Sequence, residues 1–103
     1  MDPTPPPAAD LPALYRAAVE TGDAAELVRA LCQVHGVSLR GLAELTGVHY
    51  QTLYEWQRGE RRARAHTLRD VALLTKPTKT VRRRIEEVKS RLPAGIKGRP
   101  RKD

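Results

Sequence analysis

Phenylalanine is absent from this 103-residue chain, and tryptophan, cysteine and methionine occur once each. With four aromatic residues in all, and an aliphatic content drawn mainly from Leu, Val and Ala, the chain suits helices packed on helices better than a β-sandwich. A single cysteine excludes an intrachain disulfide, and Cys32 falls on an apolar helical face where a small packed thiol is expected rather than a nucleophile. His35, His49 and His66 are too dispersed for a zinc spacing. No glycine-rich phosphate loop, carboxylate pair in an apolar setting, or nucleophile with a local base can be picked out. The expectation is therefore a protein without metal, cofactor or enzymatic activity. No apolar run approaches the ~20 residues of a membrane span. The Pro-rich, acidic start also lacks the basic-then-apolar layout of a signal peptide, so a cytoplasmic location is expected.

Charge is unevenly spread. Residues 1–60 carry a net charge of −4 and residues 61–103 carry +11, within an overall +7. So lopsided a molecule points to a polyanionic partner, either nucleic acid or an anionic membrane surface. At this length it holds one domain at most, with flanking segments.

Along the chain, "MDPTPPPAAD" has four prolines in its first seven residues, so 1–9 is expected to be a disordered arm. Residues 10–22 form a leading helix, with Asp10 as N-cap, Pro12 in the first turn and Gly22 as the stop. Asp23 and Glu26 resemble a capping box, ahead of a stripe formed by Ala24, Leu27, Val28, Leu31 and Val34 that ends at His35-Gly36. Ser38 caps a helix of about two turns, with Leu39, Leu42, Ala43 and Thr46 on one side and Gly47 as its break. Then come a helix over 50–58, a basic loop "GERRARAH" and another short helix over "TLRDVALLT". Beyond Lys76-Pro77, Val81, Ile85, Val88 and Leu92 recur at heptad-like spacing on a basic helix, 78–92. That seam suits either the domain's own core or a second copy. Glu86 and Glu87 stand four residues after Arg82 and Arg83, where ion pairs are expected. Residues 93–103 lack apolar periodicity and are expected to be a flexible basic tail. The fold class expected is all-α, a compact bundle of about five to six short helices.

Two of these helices meet at "LTGVH", the layout of a helix-turn-helix. On a wheel of ~100° per residue, Tyr50, Gln51, Tyr54, Glu55 and Arg58 share one sector, and Leu53 and Trp56 occupy the opposite one. One face is polar and hydrogen-bonding; the other is core, with Trp56 as anchor. Glutamine can pair bidentately with adenine, and tyrosines can reach phosphates or thymine methyls, so the polar face suits a major-groove reader.

Residues 24–75, through "HGVSLRGLAELTGVHYQTLYEWQRGERR", resemble the Cro and lambda-repressor type (XRE-type) helix-turn-helix domain. Ala43 is the small residue of the first motif helix, Gly47 stands in the turn, Val48 just after it, and Leu53 is the core residue of the second helix. The resemblance implies a cytoplasmic, dimeric DNA-binding transcription regulator, a repressor that lays helix 50–58 in the major groove of double-stranded DNA. Carried over by position, Tyr50, Gln51 and Tyr54 are the base-reading candidates. Ser38, Arg40, His49, Arg58, Gly59, Arg61, Arg62 and Arg64 are the candidates for the DNA backbone. Two positions depart from the family pattern. Leu39 replaces the usual Gln, and the Glu-to-base brace between the second motif helix and the opening helix finds Gln57 and Cys32, so both its members look absent.

The tail Lys97, Gly98, Arg99, Pro100, Arg101 and Lys102 resembles an AT-hook core suited to the minor groove. Two other functions fit the sequence: an antitoxin-type regulator that also binds a protein partner, and an architectural or recombination accessory protein with weak sequence preference.

Overall fold

Polar caps open most of the helices, and glycines close the first three. The computed structural model describes residues 10–92, and six helices and no strand are found among the described residues. Helix α1, Leu11–Thr21, starts where the Asp10 carboxylate accepts from the Ala13 N–H at 3.1 Å, with Pro12 in the first turn. There the proline's missing N–H costs nothing. Helix α2 is Ala25–His35, α3 is Leu39–Thr46 and α4 is Tyr50–Gln57. Helix α5, Ala65–Leu68, tightens directly into a 3-10 segment, Arg69–Leu74, and α6 is Lys79–Arg91. The Ser38 and Thr78 hydroxyls cap α3 and α6 by accepting from the Gly41 and Val81 N–H groups. The all-α class expected from composition is the class observed.

The centre of the molecule is aliphatic apart from Trp56, with Leu27, Leu31, Leu42, Leu53, Leu68, Val28, Val71 and Val88 fully buried around it. Helix α2 packs against α1, α3 and α4, so its stripe forms the spine of the core. Val34 departs from that stripe: it is 42% exposed. His35, one residue on, turns inward and its Nε2 meets the Leu74 carbonyl at 2.7 Å, tying α2 to the end of the 3-10 segment. Burial pushes the Cys32 thiol up to about 11, so it remains protonated and packs as a small apolar group.

Helix α6 uses its apolar seam internally. Ile85 and Val88 are buried, and Val81 packs at the margin of the core. Gly41 lets α6 approach α3: a Cβ there would lie 3.1 Å from Val88 Cγ1 and 3.3 Å from Val37 Cβ. Arg91 on α6 reaches Glu44 on α3 at 3.3 Å. Of the two alternatives open in the sequence, packing on the domain's own core is the one realised.

Three local expectations are corrected. The Asp23–Glu26 capping box does not form: Asp23 accepts from the Ala25 N–H at 3.0 Å, but its own N–H goes to Thr21 Oγ1 rather than to Glu26. A polar side chain two residues upstream supplied the nearer acceptor. The helix expected over 67–75 begins at Ala65 and changes to 3-10 at Arg69. The tighter winding lets Leu68, Val71 and Leu74 all reach the core, leaving Leu73 exposed. On α6, Glu86 pairs with Lys89 at 3.5 Å rather than with Arg82. No helix among the described residues is long and apolar enough to cross a membrane.

Candidate nucleic-acid interface

The link between α3 and α4 is three residues long, and each has a local task. Gly47 adopts φ 78°, with no atom near enough to crowd a Cβ, so backbone conformation rather than space calls for glycine. Val48 is buried, and its N–H donates to Thr46 Oγ1 at 3.1 Å. His49 caps α4, its Nδ1 accepting from the Gln51 N–H at 3.1 Å.

From this start, α4 turns Leu53 and Trp56 fully inward and presents Tyr50, Gln51 and Tyr54 outward. The indole N–H of Trp56 is buried without a hydrogen-bond partner among the described residues. The far end of α4 is held by Arg29 of α2, whose Nη1 donates to the Gln57 carbonyl at 3.1 Å. A cation at a helix C-terminus is favoured by the helix dipole. No Glu-to-base side-chain pair joins α2 to α4 among the described residues, in line with Gln57 and Cys32 at those positions, and a different link holds the two helices. Its basic member is Arg29 and its acceptor is the main chain, which a search for charged side-chain pairs could not reveal.

The outward face is an ordered row. The Tyr50 and Tyr54 rings stack with centroids 6.3 Å apart and planes 17° from parallel. The Arg40 guanidinium lies 5.1 Å over Tyr50, and that of Arg58 lies 5.6 Å over Tyr54. Cation–π contacts of this kind contribute ~0.5–1 kcal/mol at exposed sites. Beside the row, the two oxygens of Glu55 each take one partner: Oε1 accepts from Arg61 Nε at 2.6 Å and Oε2 from Gln51 Nε2 at 3.1 Å. The Arg61 hydrogen bond first, and the Gln51 one second, hold the Glu55 carboxyl below the usual carboxylate range.

The structure thus gathers Tyr50, Gln51, Tyr54, Arg40, His49 and Arg58 on one surface, with Arg61 joined to it through Glu55. Arg58 is also bound to Glu60 at 2.9 Å. Ser38 spends its oxygen on the α3 cap. Gly59 follows α4 with φ 74°, and Arg64 is exposed ahead of α5. Arg62 lies apart from the row: its side chain folds against Gly22, so close that a Cβ there would meet Arg62 atoms at 2.8 Å. The same loop is pinned by the Ala63 N–H donating to the Gly22 carbonyl at 2.8 Å. Residues 97–102 lie outside the described residues. Glu55 is the side chain whose part was missed. Its position on the polar sector was visible, but its link to Arg61, across the turn at Gly59, depends on how the loop folds back.

Compared with known protein families, curated proteins and solved structures, the chain matches none.

Proposed function

We propose that this protein binds double-stranded DNA sequence-specifically and regulates transcription as a repressor of the Cro and lambda-repressor type, laying α4 in the major groove. The observation that carries this reading is the fixed outward row of Tyr50, Gln51 and Tyr54 on a helix locked from behind by Leu53 and Trp56. A B-form major groove admits one helix, and base edges there are read by side chains held in register. Arg40 and Arg58 flank the row with positive charge suited to phosphates. Each tyrosine ring already carries an arginine over it and stacks with the other, which leaves less ring face for a ligand. This favours groove recognition of a duplex over stacking with unpaired bases.

The protein acts as a homodimer on a two-fold related site, its two α4 helices about one DNA turn, ~34 Å, apart. Since the α6 seam is internal, the second copy docks on another part of the surface. Bound over a promoter, such a dimer blocks polymerase without chemistry of its own. Selection of bound sequences from a random duplex pool at about physiological salt, where phosphate-only binding is weakened, tests the reading. A shared, two-fold symmetric motif supports it. Recovery of no motif, or only of A·T-rich sequences whose enrichment depends on residues 93–103, overturns it.

A further inference from the structure

Glu55 is an acidic side chain on the face proposed to meet a polyanion, which is an unfavourable place for an unpaired carboxylate. It is not unpaired: one oxygen is occupied by Arg61 and the other by Gln51. We infer that Glu55 and Arg61 are positioning residues for base recognition, a relay in which Arg61 fixes Glu55 and Glu55 fixes the Gln51 amide for an adenine. This inference rests on the major-groove reading above.

The chemistry follows from the valence of the amide. Gln51 Nε2 has two N–H groups and gives one to Glu55. The other, together with Oε1, remains as a paired donor and acceptor, the set that matches adenine N7 and N6 in the major groove. A glutamine left free on an exposed helix samples many rotamers and loses that freedom on binding; one already held by a carboxylate loses less. Glu55, one turn along α4, supplies the brace. Its carboxyl, held below the usual range by the same hydrogen bonds, remains ionised and accepting at neutral pH. Arg61 then differs from a plain phosphate clamp, because its removal disturbs one base pair instead of all sequences alike.

The test uses the full-length chain and its selected duplex, together with duplexes changed one base pair at a time. Gln51→Ala identifies the A·T pair at which discrimination disappears. Glu55→Ala and Arg61→Ala are expected to cut discrimination at that same pair by about fivefold or more, the lower end of what a bidentate base contact contributes. Other positions keep theirs. Glu55→Gln, which retains an acceptor for Gln51, recovers part of the loss, and adding Arg61→Ala to Gln51→Ala removes no further discrimination. Uniform weakening of every duplex by Glu55→Ala and Arg61→Ala overturns the relay. A DNA-free readout separates this from failure of the groove reading: the Gln51 side-chain amide resonances should shift and gain mobility in both variants. Unchanged amide signals overturn the relay. Altered signals without any selected motif keep the orienting hydrogen bond and overturn its role in base reading.

Discussion

Leu53 and Trp56 differ in what their burial contributes, although both are fully enclosed. Leu53→Ala leaves a cavity under α4 and is expected to cost ~2–5 kcal/mol, read as a lower denaturant midpoint. Trp56→Phe removes some packing but also removes a buried N–H that has no partner, whose desolvation costs ~1–3 kcal/mol. The two effects oppose each other, so this variant should stay within about 1 kcal/mol of the parent, well short of the Leu53→Ala loss. On the outer face of the same helix, Glu55 gives a pH prediction. Its carboxyl is held below the usual range, so its hydrogen bonds with Arg61 and Gln51 contribute fully above the unfolded-state value and disappear as pH falls through the lowered one. Discrimination at the Gln51 base pair should therefore be flat from neutral pH down to the ordinary carboxylate range, and fall only below it. A decline setting in near neutrality would show that Glu55 is not the group that titrates.

Elements divide into those that build the face and those that hold it still. Helix α4 is short, and a helix of eight residues is marginal by itself. It is held by the His49 cap at one end, Arg29 at the other and the core residues between. Helix α6 stabilises α3 in the same sense, through Val88 beside Gly41 and the Arg91–Glu44 pair, while Ile85 is buried in the core. Ile85→Ala is expected to cost ~2–5 kcal/mol in thermal or denaturant unfolding. An independent dimerisation helix would show no such loss in the folded monomer. Truncation ahead of α6 should likewise destabilise the whole bundle instead of leaving a trimmed domain.

At the scale of the whole molecule, the overall charge of +7 acts at long range while the row on α4 acts at close quarters. Affinity for any duplex should fall with salt, and Arg40→Ala should weaken all sequences similarly, lowering the slope of log affinity against log salt by about one for each phosphate that is no longer neutralised. Binding titrations on the selected and a scrambled duplex at several salt concentrations check this. A loss confined to the selected duplex would instead assign Arg40 to ordering Tyr50 over its base.

The sequence by itself determined the helical class, the helix stops at Gly22, Gly36 and Gly47, the Asp10 and Ser38 caps, and the split of α4 into a buried and an exposed face. All of these follow from local rules: apolar periodicity, left-handed glycine and the reach of a side chain over one turn. What joins residues distant in sequence was decided only by the tertiary structure. Arg29 reaches a main-chain carbonyl 28 residues away, Arg91 reaches Glu44 over 47, and His35 reaches Leu74 over 39. Spacing along the chain carries no information about such pairs, because each depends on which helix packs beside which. The choice between an internal and an external seam for α6 was settled in the same way, by the room Gly41 leaves for Val88 against α3.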